Sequence, residues 1–172
     1  MRITTISDGY INFVVKHEGL FLKPYLCPAG VWTIGIGSTY YPNGKRVKES
    51  DPVISKEFAY FVFKEISHEF EREIDSLTRD DITQNQFNAL FDFAYNAGIG
   101  ALKSSTLLKK VNLNPNDPTI RNEFNKWIYG GDGSHNKKDD DGDGLIDEPG
   151  EKQRLEGLVK RRKECADMYF TL

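Results

Sequence analysis

The 172-residue sequence has no long apolar run and very few cysteines, and each shortage excludes a class of protein. No run approaches the ~20 apolar residues that a membrane-spanning helix needs. The first residues, MRITTISDGY, lack the apolar core of a signal peptide. We therefore expect no membrane insertion, and we expect any export to use a route other than a signal peptide.

Cysteine occurs only at Cys27 and Cys165, which lie far apart and belong to no CxxC or Cys–His pattern. This spacing excludes a disulfide framework and a zinc site, and we expect two reduced thiols, as in a protein made in a cytoplasm. The composition is otherwise that of a globular protein, with 38% hydrophobic and 12% aromatic residues. We therefore predict a single domain over residues 1–172.

The net charge of −3 is unevenly distributed along the chain. Residues 132–151 contain eight acids and two bases, so this segment carries −6 and the rest of the chain carries +3. The whole-chain charge therefore says little about a partner. We predict a monomer with no nucleic-acid partner.

The chain begins with a predicted amphipathic helix that Ser7 or Asp8 can cap. The apolar positions of this helix follow helical spacing, and the next position on the same stripe is Glu18. Glu18 precedes a glycine, so it is expected at the negative end of the helix dipole and on the buried face. Both conditions favour the neutral carboxyl. The alternative is a helix-end Glu paired with a base such as Lys16 or Arg162.

Short segments rich in β-branched and aromatic residues follow, and they predict a small antiparallel β-lobe over about residues 19–54. Residues 31–36 are typical of a strand, and Asn43-Gly44 is typical of a hairpin turn. From Ser55 the pattern is helical, and the predicted helices are about 55–77, 84–97, 105–111, 119–128 and 151–170. The predicted fold class is α+β, with a long helix joining the β-lobe to a mainly helical lobe of about residues 55–172 that includes the N-terminal helix.

One short stretch contains three side chains that are candidates for a catalytic role. Glu18, Cys27 and Thr33 lie within sixteen residues, in a predicted helix end, loop and strand. A carboxyl that is neutral near pH 7 can act as a general acid. The ordinary alternatives for the other two positions are a strand-forming Thr and a small buried Cys.

The spacing Glu18-x8-Cys27-x5-Thr33, followed by IGIG, resembles the phage-type lysozymes, or endolysins, of glycoside hydrolase family 24. The family signature is Glu-x8-Asp-x5-Thr, or the same spacing with Cys in the middle. Three further segments resemble the family in the same order: QNQFNALFDFAYNAG at 84–98, SSTLLKKVN at 104–112 and GLVKRRKE at 157–164. The resemblance covers nearly the whole chain except residues 131–154.

The resemblance implies a lysozyme-like fold with a cleft between its lobes, and hydrolysis of the β-1,4 bond between N-acetylmuramic acid and N-acetylglucosamine in peptidoglycan. Glu18 would protonate the leaving glycosidic oxygen, and Thr33 would hold the attacking water. The resemblance also implies substrate-facing roles for Asn96, Ser105 and Thr106. The Asn96 amide is equally suited to capping the end of its own helix. No cofactor is implied for catalysis.

Cys27 stands where the family more often has Asp. An ordinary thiol is only a few per cent ionised at pH 7, so it supplies little negative charge. Either Cys27 is a partly ionised substitute for the carboxylate, or Glu18 and Thr33 carry more of the catalysis. A second departure is Ser38, which stands where many relatives have His.

The acidic segment of about residues 131–151 is an insertion relative to the family pattern. Within DDDGDGLIDE, carboxylates at alternate positions followed by a glycine resemble the first half of a calcium-binding loop. The twelfth position of that register is Gly150 rather than Glu, so Asp147, Glu148 or Glu151 would complete the site. A solvated acidic loop is the alternative. The predicted ligands of a structural Ca²⁺ are Asp139, Asp141, Asp143, Leu145, Asp147 and Glu148.

The sequence therefore predicts a peptidoglycan hydrolase, and specifically a phage endolysin. Such a protein would accumulate in the host cytoplasm and reach the periplasm and cell wall through a membrane lesion. Two alternatives stay open at this point. One is a catalytically silent lysozyme-like module that binds glycan or a partner, and the other is a muramidase secreted as an antibacterial effector.

Overall fold

The computed structural model describes residues 2–27, 30–130 and 153–171. Within these ranges the secondary structure consists of seven helices and two small antiparallel sheets. In chain order the elements are α1 Tyr10–Glu18, β1 Phe21–Leu26, β2 Trp32–Gly35, α2 Lys56–Leu77, α3 Gln84–Ala97, α4 Ile99–Ser104, α5 Thr106–Leu113, α6 Ile120–Asn125, β3 Tyr129–Gly130, β4 Gln153–Arg154 and α7 Glu156–Tyr169. The predicted α+β class is confirmed.

The β-lobe is built on the antiparallel pair of β1 and β2, in which Tyr25 lies opposite Thr33. After β2 the chain turns back through Asn43-Gly44, as predicted. Gly44 has a φ of +79°, which a glycine adopts without strain, and its N–H donates to the Tyr41 carbonyl at 2.8 Å. This small lobe therefore contains β2, the strand on which Thr33 lies.

Helix α2 joins the β-lobe to the helical lobe, as predicted. Ser55 Oγ accepts a hydrogen bond from the Phe58 N–H at 3.1 Å and so caps the start of the helix, which continues for 22 residues to Leu77. At ~1.5 Å per residue the helix is roughly 33 Å long. Its first turns contact β2, and its later turns bury Phe63 and Ile74 in the helical lobe.

Helix α3 lies at the centre of the helical lobe. Thr83 and Gln86 form a capping box at its start, because each side chain accepts a hydrogen bond from the backbone N–H of the other, at 2.9 and 3.2 Å. The helix contacts α2, α4 and α7 and is buried over most of its length. Aromatic side chains of α3 and of the helices around it form the core. The fully buried rings include Phe63, Phe87, Phe91, Phe93 and Phe124.

The start of α1 differs from the prediction. The N-cap is Gly9, and no side chain caps this end. Ser7 binds Asn88 of α3 instead: its N–H donates to Asn88 Oδ1 at 3.1 Å, and Asn88 Nδ2 donates to Ser7 Oγ at 2.9 Å. The predicted cap by Ser7 or Asp8 is therefore wrong, because a contact with a distant helix occupies the Ser7 hydroxyl.

The C-terminal helix also starts later than predicted. Gln153–Arg154 pairs with Tyr129–Gly130 as β4 and β3, so α7 begins only at Glu156. Helix α4 is an element that the sequence pattern does not predict. Of the helices in the described ranges, none combines the length and the apolar character that crossing a membrane requires.

Candidate active site

Glu18 ends helix α1 at the point where the chain leaves the helical lobe for β1. Its side chain is 20% exposed, and Oε1 accepts a hydrogen bond from Arg161 Nη1 at 2.5 Å. The other oxygen, Oε2, lies against Gly37, where an added Cβ would come within 2.9 Å of it. Gly37 has a φ of +74°, so both its backbone conformation and the carboxylate require a glycine there.

The pairing of Glu18 agrees with the second of the two sequence interpretations, a helix-end Glu paired with a base. The base is Arg161 of α7 rather than Lys16 or Arg162. Lys16 instead lies 2.8 Å from Glu164 Oε2, and that oxygen also lies 3.0 Å from His17 Nε2. The carboxylate of Glu18 is therefore partly buried but not isolated from charge.

Arg161 is held in place by Asp92, a carboxylate on α3 with no exposed surface. Arg161 Nε and Nη2 donate to the two oxygens of Asp92 at 3.0 and 2.8 Å, and the Tyr10 hydroxyl donates to the same carboxylate at 3.1 Å. Burial alone would lower the pKa of Arg161, but the hydrogen bonds and charges of Asp92 and Glu18 raise it above the usual arginine value. Arg161 is therefore a fixed cation beside Glu18.

Arg162 lies beside Asn96 and completes a charge cluster that consists of Glu18, Asp92, Arg161 and Arg162. Its guanidinium lies over the Phe93 ring at 5.1 Å, and its Nη1 lies 3.7 Å from Asp92 Oδ2. Its Nη2 donates to Asn96 Oδ1, and its Nε donates to the Trp127 carbonyl at 3.2 Å. The Asn96 amide thus binds Arg162 and does not cap its own helix through this oxygen. Its predicted contact with substrate stays a prediction.

Thr33 and Cys27 meet at one backbone carbonyl. Thr33 Oγ1 donates to the Val31 carbonyl at 2.9 Å, and the Cys27 N–H donates to the same oxygen at 3.0 Å. Burial, followed by the charges of Glu18 and Cys27, raises the pKa of Tyr25, the residue opposite Thr33 on β1. All three predicted catalytic residues therefore lie around the junction of α1 with the β1–β2 pair.

Cys27 is half-buried, which differs from the fully buried Cys of the ordinary alternative. Cys165, by contrast, is fully buried and donates to the Ala89 carbonyl, and the two cysteines form no disulfide. Burial raises the pKa of the Cys165 thiol well above its usual value, so this thiol stays protonated and unreactive. Of the two cysteines, Cys27 is the one placed for chemistry.

Ser105 caps the start of α5, and its predicted contact with substrate stays a prediction. It is 4% exposed, its Oγ accepts from the Leu108 N–H at 3.0 Å, and it donates to the Leu102 carbonyl at 2.7 Å. These bonds make it the N-cap of α5. Thr106, the first residue of α5, is exposed, and its contact with substrate stays a prediction.

The predicted calcium ligands at residues 139–148 lie outside the described ranges. Within those ranges no group of three or more His, Cys, Asp or Glu side chains is placed to hold a metal ion. The ligands in question are Asp139, Asp141, Asp143, Leu145, Asp147 and Glu148.

Sequence reasoning missed the residues that hold Glu18 in place. Tyr95 of α3 donates its hydroxyl to the Ile36 carbonyl at 2.7 Å, which fixes the turn that places Gly37 against Glu18. Asp92, a lone acid between two phenylalanines of an apolar helix, is a signal that could have revealed the cluster. A carboxylate buried at such a position needs a cation, and the Arg161-Arg162 pair offers two.

The comparison with protein families agrees with the geometry of this site. The family model for phage lysozyme matches residues 15–164. The endolysin of Bacillus phage B103 is 37% identical over 168 residues, which cover 96% of this chain and 54% of that protein. The endolysin of Acyrthosiphon pisum secondary endosymbiont phage 1 is 32% identical over 158 residues, which cover 92% of each protein. The chain therefore spans about half of the first relative and nearly all of the second.

Solved structures show the same fold. The endolysin from Escherichia coli O157:H7 phage FAHEc1 is similar with a TM-score of 0.79 and 27% identity, covering 96% of this chain and 93% of that one. A mutant of P22 lysozyme gives a TM-score of 0.73 and 26% identity, covering 98% of this chain and 100% of that one. Because the family model matches residues 15–164, most of the chain, the chain belongs to the phage lysozyme family.

Proposed function

We propose that this chain is a muramidase that hydrolyses the β-1,4 bond between N-acetylmuramic acid and N-acetylglucosamine in peptidoglycan, acting as a phage endolysin. The observation that carries the proposal is the setting of Glu18 at the junction of the two lobes. Its Oε1 is held by Arg161, and its Oε2 lies beside the Gly37 turn of the β-lobe. Membership of the phage lysozyme family supports the same reaction.

The setting of Glu18 suggests which of its oxygens carries the acidic proton. Arg161 Nη1 donates to Oε1, so the proton is expected on Oε2, the oxygen beside Gly37. Because Gly37 has no Cβ to collide with Oε2, the carboxylate can occupy this position beside the turn. Once the proton has moved to the leaving oxygen, the carboxylate stays paired with Arg161, whose charge stabilises it.

Thr33 is suited to hold the attacking water as a hydrogen-bond acceptor. Thr33 is 3% exposed and its hydroxyl proton is directed at the Val31 carbonyl, so its lone pairs can accept a hydrogen only from a water that enters beside this nearly buried side chain. A water bound in this way keeps an oxygen lone pair for attack on the sugar carbon. Cys27, which shares the Val31 carbonyl through its N–H, is the second group expected to act on that water.

The proposed route of action follows from the same assignment. We expect the protein to accumulate in the host cytoplasm, to reach the wall through a membrane lesion, and to act as a monomer without a cofactor for catalysis. The endolysin relatives support the coarser part of this statement, a phage protein directed at the bacterial cell wall.

Lysis of cells with a permeabilised outer membrane tests the proposal. The native chain is expected to clear the suspension, and Glu18→Gln to slow clearing at least about 100-fold, because general acid catalysis contributes about 10²–10⁴. Glu65→Gln is the matched control, since Glu65 is an exposed carboxylate on α2. Native protein that binds walls without clearing them would indicate a silent binding module instead.

A second set of variants defines the role of Cys27. Cys27→Asp is expected to stay active because it restores the more common carboxylate, while Cys27→Ala or alkylation of the thiol is expected to inactivate. Cys165 is fully buried, so a small alkylating reagent applied to the folded protein reports on Cys27. Full lysis by Cys27→Ala would remove the thiol from the mechanism and leave Glu18 and Thr33.

A further inference from the structure

Two phenylalanines lie on the outer face of α2, the face that is turned away from the core. The inner face of this helix buries Ala59, Val62, Phe63 and Ile66. Phe58 and Phe61 lie on the opposite side of the helix, where they are 41% and 51% exposed. Their rings stack on each other with the centroids 5.9 Å apart. The two rings together form an apolar patch, and exposed aromatic patches are typical of interaction surfaces.

Charged side chains flank this pair of rings on both sides. Glu57 precedes the rings, and Lys64 follows them seven positions later on α2. Seven positions are almost two helical turns, so both side chains lie on the same flank of the outer face, about 10 Å apart along the helix axis. Both are exposed, and neither makes an ion pair with another residue among 2–27, 30–130 and 153–171.

We propose that a second copy of this chain covers the two rings, with the α2 helices of the two copies antiparallel about a two-fold axis. The axis passes midway between Glu57 and Lys64, close to Phe61. Symmetry then places Glu57 opposite the partner's Lys64, and Lys64 opposite the partner's Glu57, while the two Phe61 rings meet at the centre. The outer face is thus complementary to itself, which is what a two-fold symmetric interface requires.

The same charges favour a second copy over a lipid surface as the covering partner. Glu57 and Glu65 are both exposed next to the rings, so an anionic membrane would bring like charge close to two carboxylates. The antiparallel copy instead brings an opposite charge to Glu57 and to Lys64. Charge complementarity of this kind selects the partner and fixes the register of the two helices.

The pairing is expected to be weak because the apolar area is small. An aromatic side chain offers roughly 200 Å², so the exposed parts of Phe58 and Phe61 contribute about 180 Å² per copy. A stable interface buries about 800 Å² per partner. We therefore expect a Kd on the order of 0.1 mM. The inference goes beyond the proposed function, and the diluted chain is still the monomer expected at the cell wall.

Small-angle X-ray scattering tests the pairing, because the forward scattering gives the mean mass in solution. The native chain is expected to change from monomer to dimer as its concentration rises from about 0.01 to 1 mM. Phe61→Ser removes the central ring and should keep the chain monomeric over this range. Leu113→Ser is the matched control, since Leu113 is 83% exposed at the end of α5, and it should leave the transition unchanged.

Exchange of the two charges tests the antiparallel geometry. Glu57→Lys alone and Lys64→Glu alone each place like charges opposite one another, and each is expected to raise the Kd about three- to tenfold. The double variant, Glu57→Lys with Lys64→Glu, keeps the native net charge and restores opposite charges at both contacts. It should therefore dimerise with nearly the native Kd, which separates a charge contact from a general loss of helix stability.

A native chain that stays monomeric at about 1 mM would overturn the inference. Binding of that monomer to vesicles of phosphatidylglycerol would assign the rings to a membrane surface instead. Dimers that form equally well with Phe61→Ser and with the single charge variants would also overturn it, because another surface would then be responsible. Loss of the dimer with Phe61→Ser, together with its recovery in the double charge variant, supports it.

Discussion

Replacing Asp92 by Asn is expected to destabilise the protein strongly, although the two side chains have nearly the same shape. Asp92 is fully buried, accepts two hydrogen bonds from Arg161 and one from Tyr10, and lies 3.7 Å from Arg162. Together with Glu18, it balances the two arginine charges of the cluster. Asn removes one negative charge and leaves the cluster with a net charge of +1.

The size of the effect follows from the burial of the pair. Removing one partner of a buried ion pair costs about 3–5 kcal/mol, because the remaining charge has no compensating partner in a low-dielectric surrounding. At about 2–4 °C per kcal/mol for a chain of this length, the Tm is expected to fall by about 6–20 °C. Urea unfolding at 25 °C, followed by circular dichroism, measures the free energy directly.

Asp167→Asn is the matched control for this experiment. Asp167 pairs with Arg121 at the surface, and its side chain is 54% exposed. The same chemical change there is expected to cost at most about 1 kcal/mol, since an exposed pair is solvated in both states. Equal losses of unfolding free energy in Asp92→Asn and Asp167→Asn would refute the argument that burial of the arginine cluster makes Asp92 essential.

Three further predictions concern other parts of the molecule. Tyr95→Phe removes one hydrogen bond between α3 and the β-lobe and is expected to lower the unfolding free energy by about 1 kcal/mol, whereas Tyr129→Phe, at an exposed position, is not. The hydrogen bond from Lys126 lowers the pKa of Glu123, so the unfolded chain takes up this proton first as pH falls. The stabilisation by Glu123 is therefore present above the ordinary Glu pKa of 4.5 and is lost as pH falls from there through the lowered pKa of the folded chain. Glu123→Gln should flatten the stability profile, measured by urea unfolding, over this pH range. Calorimetry with Ca²⁺ should give binding heat for the native chain and none for Asp141→Ala, and no heat from the native chain would contradict the predicted calcium loop.

The parts of the fold that local sequence determines could be predicted. Ser55 and Thr83 each precede a helical periodicity and act as caps, so the starts of α2 and α3 were predictable from a few neighbouring residues. The Asn43-Gly44 turn depends on a local backbone preference in the same way. The spacing of Glu18, Cys27 and Thr33 predicted their common location, because one helix end and one strand pair bring them together.

The parts that depend on distant contacts could not be predicted. Arg161 lies 143 positions from Glu18, and no local pattern shows which of several bases will reach this carboxylate. Ser7 is a residue type that commonly caps helices, but its hydroxyl binds Asn88 instead. Ser105 shows the reverse case: its place in the family pattern indicates a substrate contact, yet its local chemistry makes it a helix cap.

The chemical identity of the new reducing end in digested peptidoglycan tests the central claim most directly. Purified, peptide-bearing peptidoglycan is digested with the native chain, the products are reduced with borohydride, and the sugar at the reduced end is identified by mass spectrometry. The account predicts reduced N-acetylmuramic acid from the native chain and none from Glu18→Gln. A reduced N-acetylglucosamine end, an anhydro-muramic product, or unchanged cleavage by Glu18→Gln would contradict it.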